Sequence, residues 1–260
     1  MKILITNDDG INAPGLASLQ KIASQITENS DARWVVAPAT EKSGVGHCIS
    51  LSSPVLSSKL NKQTFSIEGN PADCVIAGVH HLMKDGPPDL ILSGVNRGNN
   101  SAENALYSGT LGAAMEGALQ GILSIALSQY LGPKNVESEN PFEAAERFGA
   151  EVIDKILSID ITPKGSYRLF YNVNFPPCPA ASVQGIKFTH QGHRQDGQFS
   201  VHPVTSPSNR EFLFVAGSNQ QFQTTDRSDA AVNMDGYISI TPMTADLTAY
   251  KVLEALQVGE

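Results

Sequence analysis

At 260 residues, 41% hydrophobic and 17% charged, the chain has the composition of an ordinary globular protein that is long enough to bury a substantial core. Its net charge of −8 gives no basic footprint for a nucleic-acid polymer or an anionic membrane, although a bound metal can still recruit an anionic substrate locally. Cys48, Cys74 and Cys178 are odd in number and lack CxxC spacing, which predicts reduced thiols in a cytosol rather than a zinc site.

The opening MKILITNDDG carries one Lys and an apolar run too short for a signal peptide or a membrane span. Residues 2–6 are β-branched and apolar and break at Asn7-Asp8-Asp9-Gly10, as a buried parallel strand does when it ends in a loop. Pro14 and Gly15 then open a helix whose Leu16, Leu19, Ile22, Ala23 and Ile26 form one apolar stripe. Residues 34–38 predict a second strand, 72–83 a helix, 89–92 a strand, 109–119 a small-residue helix and 122–127 another strand. This alternation predicts an α/β fold, a Rossmann-like parallel sheet covered by helices on both faces. The loops at residues 7–15, 39–50 and 93–110 fall at the carboxyl ends of its strands, where ligands bind such sheets.

Beyond residue 130, LGPKNVESEN reads as an exposed linker before an amphipathic helix containing Phe142, Ala145, Phe148, Val152 and Ile156. Strand-like pieces follow at 168–173, 185–189, 211–215 and 237–241, with an extended hairpin or arm at 190–210 and a closing helix at 245–257. The expected organisation is a catalytic core over 1–130, with 131–260 completing it and adding oligomerisation elements, one domain in all.

Asp8 and Asp9 follow the first strand, and two hard oxygen ligands suit Mg²⁺ or Mn²⁺. Taken alone, Asp-Asp-Gly reads equally as turn chemistry. In the loop Ser43-Gly44-Val45-Gly46-His47, backbone N–H groups at Gly44 can approach an anion and Ser43 offers a hydroxyl; Ile49 stands where a dinucleotide fingerprint needs a small residue. His47 reads as a satisfied structural histidine and Asp73 as a first-turn helix residue. Asn96, in Ser93-Gly94-Val95-Asn96-Arg97-Gly98, offers an amide oxygen or forms an ordinary turn. Ser108, Gly109 and Thr110 open a helix whose free N–H groups suit phosphate, and Ser108 reads equally as an N-cap.

Taken together, ILITNDDGINAPGL, VVAPATEKSGVGHCISL, GNPADCV, DLILSGVNRGNN, YSGTLGAAMEGAL and TDRSDAAVNMDGYISITP closely resemble the motifs of the SurE family of stationary-phase survival nucleotidases, in order. The resemblance implies a divalent ion held by Asp8, Asp9, Ser43 and Asn96, and phosphate neighbours at Asn12, Ser108, Gly109 and Thr110. It implies a cytoplasmic phosphatase of nucleoside 5′- and 3′-monophosphates, with short polyphosphate as a further substrate, and a homodimer or homotetramer built by exchange of C-terminal elements. Within that reading Asp8 and Asp9 carry catalysis, either as metal ligands or, for one of them, as a nucleophile forming an aspartyl-phosphate. A nucleotide-sugar transferase and a non-catalytic nucleotide-binding stress protein are the alternatives. The chain departs from the family pattern at Gly192-His193-Arg194-Gln195-Asp196-Gly197, at Ser206-Pro207-Ser208-Asn209 and at Asn104, where an aspartate is frequent.

Overall fold

The computed structural model describes residues 1–159, 161, 167–194, 199–217, 219–222 and 224–257. In chain order its elements are β1 (Ile3–Thr6), α1 (Pro14–Ile26), β2 (Arg33–Pro38), β3 (Ser57–Lys59), β4 (Thr64–Ile67), α2 (Pro71–Ala77) and β5 (Leu90–Arg97). Then come α3 (Gly109–Leu119), β6 (Leu123–Gln129), α4 (Glu143–Leu157), β7 (Phe170–Phe175), β8 (Ile186–Phe188), β9 (Ser200–Thr205), β10 (Glu211–Ala216), α5 (Asp229–Met234), β11 (Ile238–Met243) and α6 (Tyr250–Gln257).

Among the described residues nine strands form one sheet in the order β3-β4-β2-β1-β5-β6-β7-β11-β8. The run from β4 to β7 is parallel throughout. Counting only those parallel strands in chain order gives the spatial order 3-2-1-4-5-6, the order of a doubly wound nucleotide-binding sheet. The expected α/β class is therefore the observed one. The chain leaves β1 in one direction toward β2 and returns on its other side as β5, so the switch point lies between β1 and β5 and opens a crevice at their carboxyl ends.

Strand alternation divides the core. Ile3 and Ile5 pack with Leu16, Leu19 and Ile22 of α1 and Val152, Ile153 and Ile156 of α4. Leu4 faces the opposite layer with Val36, Ile91, Cys74 and Val75, beside Ala113 of α3. Each of these large side chains, removed from water, contributes about 1.5–3 kcal/mol.

Several boundaries differ from the sequence expectation for local reasons. The strand predicted over 89–92 runs on to Arg97, with an irregular register between Ser93 and Asn96; a glycine inside a strand pattern, here Gly94, marks such a bulge rather than a strand end. The helix predicted over 72–83 is regular only through Ala77 and widens into a π-type turn over Gly78–Leu82. The β3–β4 hairpin and the short α5 carried no periodic signal. The 131–140 stretch is not wholly exposed: Asn135 is buried and donates through Nδ2 to Tyr130 O at 2.9 Å. The hairpin expected over 190–210 is instead built from β9 and β10, so it takes in the strand expected at 211–215; at its turn Asn209 takes φ 59°, a left-handed conformation that Asn tolerates better than most residues. The departures at Gln195, Asp196 and Gly197 lie outside the described residues. Among the described residues no helix is long and apolar enough to cross a membrane.

Candidate functional site

Main-chain hydrogen bonds draw the three predicted loops together at the switch point. Ile11 N donates to Pro38 O at 2.8 Å and Lys42 N to Asp8 O at 2.7 Å, which tie the turn after β1 to the loop after β2. Gly46 N donates to Tyr107 O at 2.9 Å, which ties that loop to the lead-in of α3. Close approach then depends on the absence of side chains. A Cβ at Gly109 would lie 2.9 Å from Asp8 Cβ, and one at Gly112 would lie 2.3 Å from Gly46 O. Any larger residue at either position would push α3 away from the crevice.

Asp8, Ser43, Gly44, Asn96 and Ser108 line one cavity of about 280 Å³. That is the small end of ligand-pocket sizes, suited to a small molecule rather than a polymer. Asp8 is buried and its Oδ1 accepts from the Thr110 hydroxyl at 2.5 Å. Burial pushes the Asp8 carboxyl up to about 6; the Thr110 hydrogen bonds oppose the rise and the neighbouring Asp9 charge adds to it. Asp9 diverges from Asp8. It borders the adjoining cleft with Arg97 and Glu41, and its Oδ2 accepts from Arg97 N at 3.2 Å. Burial raises its pKa and the Glu41 charge adds to this, while the Arg97 N–H opposes it.

Asn96 donates through Nδ2 to Gly98 O at 2.9 Å, so its Oδ1 is the atom left for a ligand. Ser43 is exposed and donates to Glu41 Oε1 at 2.7 Å, keeping lone pairs for a cation. Ser108 caps α3 by accepting from Leu111 N at 3.1 Å, which leaves its proton free to be donated. Thr110 is fully buried, and its hydroxyl is committed to Asp8. Gly109 is buried behind the cavity wall, and Asn12 is exposed on the turn, outside the lining. His47 pairs with buried Glu116 at 2.7 Å and Asp73 Oδ2 accepts from Asn70 N at 2.7 Å, structural roles in both cases.

Among the described residues no cluster of three or more His, Cys, Asp or Glu side chains assembles anywhere. The oxygen donors this cavity offers are the Asp8 carboxylate with amide and hydroxyl groups, a set that fits Mg²⁺ or Mn²⁺ and not a thiophilic ion. The neighbouring Asp9 charge raises the pKa of buried Asp8, and a cation bound beside both would offset their repulsion.

Arg97, Gly98, Asn99, Asn100, Asn104, Tyr107, Phe199, Gly217 and Gln220 complete the lining. Among the described residues that line it, the charged side chains are Asp8 and Arg97. The loop that holds Arg97 is legible in the sequence but the side chain is not, and Phe199 lies far along the chain with no local signal tying it to the site. The 99–104 turn is held from the second half of the chain. Asp229 is fully buried and accepts from Ala102 N at 3.1 Å, Gly192 N at 2.8 Å and Ala230 N at 2.7 Å. The buried Arg194 guanidinium donates to Glu103 Oε1 at 2.9 Å, Ser101 O at 3.1 Å and Ser101 Oγ at 3.0 Å. Asn100 N donates to Asn174 Oδ1 at 2.7 Å, and Asn172 Nδ2 to Asn100 O at 2.8 Å.

The family model described as Survival protein SurE matches residues 3–198. A Ruegeria pomeroyi protein named 5′-nucleotidase SurE is 58% identical over 257 residues, covering 99% of each chain. One from Roseobacter denitrificans with the same name is 56% identical over 256 residues, covering 98% of each. The crystal structure of the SurE protein from Aquifex aeolicus superposes with a TM-score of 0.79 at 33% identity, covering 99% of each chain. With the switch-point crevice and its ordered loops in place, the match across nearly the whole chain makes this protein a member of the SurE family.

Proposed function

We propose that the protein is a 5′-nucleotidase, hydrolysing nucleoside 5′-monophosphates to nucleoside and phosphate with the help of one divalent cation. The observation that carries this reading is the single small cavity in which Asp8, Ser43 and Asn96 stand opposite the capped N-terminus of α3. The relatives named 5′-nucleotidase SurE support it, and no feature of the site favours the transferase or the non-catalytic alternative.

Asp8, Asp9, Ser43 and Asn96 are the residues that would hold Mg²⁺ or Mn²⁺; when bound, the ion supplies Lewis acidity and neutralises phosphoryl charge. The protein's own groups do the rest by position. The Ser108 hydroxyl and the N–H groups of Ser108 and Gly109 receive equatorial phosphoryl oxygens, helped by the positive end of the α3 dipole, while the Thr110 N–H is held by Asp8. Gly44 N–H approaches from the opposite loop and Arg97 adds a cationic side chain; Asn12 is exposed on the turn after β1, outside this lining. Water replaces the nucleoside oxygen on phosphorus, and the catalytic term is charge stabilisation in a prearranged site. Thr110 serves through Asp8, fixing the carboxylate rather than touching phosphate.

The cytoplasm is the compartment that fits three free cysteines, Cys48, Cys74 and Cys178. A homodimer or homotetramer through the C-terminal elements fits the exposed apolar side chains of the arm, Leu213, Phe214 and Val215, and of α6, Val252 and Leu256. Phosphate release from AMP with added Mn²⁺ tests the activity: turnover that stops in excess chelator and returns with metal is expected, and full activity in chelator would refute the metal-dependent reading.

A further inference from the structure

A second cleft, of about 410 Å³, shares no residue with the switch-point cavity and falls within the range of about 300–1,000 Å³ usual for small-molecule sites. Its walls are the turns that follow β6, β7 and α5, together with Gln221. The turn after β6 carries Lys134 and is pinned by buried Asn135, which accepts from Gly132 N at 2.8 Å and donates to Tyr130 O at 2.9 Å. α5 ends where Gly236 takes φ 85°, a left-handed conformation that glycine adopts readily, and this turn carries Asp235. Gln184 N donates to Gly236 O at 2.9 Å, which closes the segment after β7 onto the α5 turn.

Asn233 lines this cleft and is fully buried. Its Nδ2 is committed to Asn174 O at 2.9 Å and Tyr237 O at 3.0 Å, while its Oδ1 has no hydrogen-bond partner. An unpaired buried acceptor is costly, so this atom calls for a donor. Lys134 and Asp235 bring opposite charges to the same cleft, both exposed, and among the described residues neither forms an ion pair. The Lys134 charge is felt inside it: burial pushes up the thiol of Cys178, which also lines the cleft, and the Lys134 ammonium opposes that rise. Met234 and Pro177 add apolar surface. An orphan acceptor, a cation and an anion around one small space match a zwitterion; a phosphate ester would meet a carboxylate there as well as a lysine.

We propose that this cleft binds a free α-amino acid, with its ammonium group donating to Asn233 Oδ1 and Asp235 and its carboxylate facing Lys134, and that the bound molecule acts on the switch-point cavity. Two routes join the sites. Gln221 lines the cleft, while the adjacent Gln220 lines the switch-point cavity and accepts from Asn104 Nδ2 at 2.5 Å. Asn233 holds Asn174 O, and Asn174 Oδ1 accepts from Asn100 N at 2.7 Å, so both routes end on the 99–104 turn. The effect on turnover rests on the nucleotidase reading above; the binding does not.

Calorimetric titration of the whole chain with each of the standard L-amino acids is the test. At least one is expected to bind with a dissociation constant of about 1 mM or tighter. Lys134→Gln and Asp235→Asn, exposed changes that leave buried Asn233 in place, are each expected to weaken that binding about ten-fold through loss of one charge-assisted contact. No saturable binding by any of them, or binding that neither substitution weakens, overturns the site. The coupling is read on AMP hydrolysis with Mn²⁺: at a concentration that saturates the parent, the amino acid is expected to change KM for AMP by about five-fold or more, and by less in Lys134→Gln. Binding with an unchanged KM in the parent overturns the coupling. A protein that binds the amino acid and hydrolyses no AMP keeps the site and overturns the nucleotidase reading together with the coupling.

Discussion

The turn at residues 7–12 and the turn at 99–104 wall the same region and are held in different ways. The first is fixed by backbone bonds from the strand ends and the loop beside it, such as Lys42 N to Asp8 O. The second is fixed by buried side chains of the last third of the chain, Arg194 and Asp229 above all. The contrast separates two tasks. The ligand-bearing turn comes with the parallel sheet itself, whereas the wall that shapes the rest of the cavity depends on residues that carry no chemistry of their own.

That contrast predicts its largest stability effect far from the ligands. Asp229→Ala strands three buried N–H groups and leaves Arg194 with one carboxylate fewer nearby; breaking such buried charged networks typically costs about 3–5 kcal/mol. Chemical denaturation should show that loss, with AMP turnover falling alongside it as the 99–104 turn loosens. A stable, fully active variant would mean the second turn holds itself.

Thr110→Val acts on the first turn alone. Removing a hydroxyl bonded to a buried carboxylate is expected to cost about 1.5–3 kcal/mol, appearing as lower kcat and weaker Mn²⁺ binding more than as a lower melting temperature. Kinetics and calorimetry on the same preparation check the split.

The pH response of the metal-free protein belongs to the same turn. Asp8 sits at about 6 against its ordinary 3.8, because burial disfavours its charge. Between those values the folded protein holds a proton that the unfolded chain has released. Metal-free stability therefore falls as pH rises from about 4 to about 6, by about 1–3 kcal/mol, and Mn²⁺ affinity falls as pH drops below about 6. Melting curves across that range, with and without Asp8→Asn, read the slope directly. The variant should flatten it.

The smallest effect is expected at His47→Ala, which loses a partly exposed pair with Glu116 for about 1 kcal/mol. It should lower the melting temperature slightly, by loosening the tie between the 43–47 loop and α3.

Legibility in the sequence follows the same divide. Periodicity revealed β1, α1, β2, α3 and β6, and the polar breaks after them marked the turns that carry Asp8, Ser43, Asn96 and Ser108. The ligand-bearing pieces were readable because each lies at the end of a periodic element. Thr110 was legible as a helix-opening residue, yet its hydroxyl faces Asp8, a contact across 102 positions that spacing cannot disclose. The bulge that carries β5 past Gly94 hid the strand's true end, and short elements such as α5 offered too few residues to show a period. Arg194 and Asp229 were silent for another reason: a buried charge looks like a surface charge until its partners are known.

The central claim is that Asp8 belongs to a metal shell and not to a structural turn. Mn²⁺ affinity of the parent and of Asp8→Asn, measured above pH 6 beside the metal-free melting temperature, tests it most directly. The account predicts binding weakened by about 100-fold, as expected for loss of a charged ligand worth ~3 kcal/mol, with AMP turnover lost and the metal-free melting temperature equal or higher, since a buried negative charge has been removed. Parent-like Mn²⁺ affinity and turnover, or a large drop in metal-free stability, would contradict it.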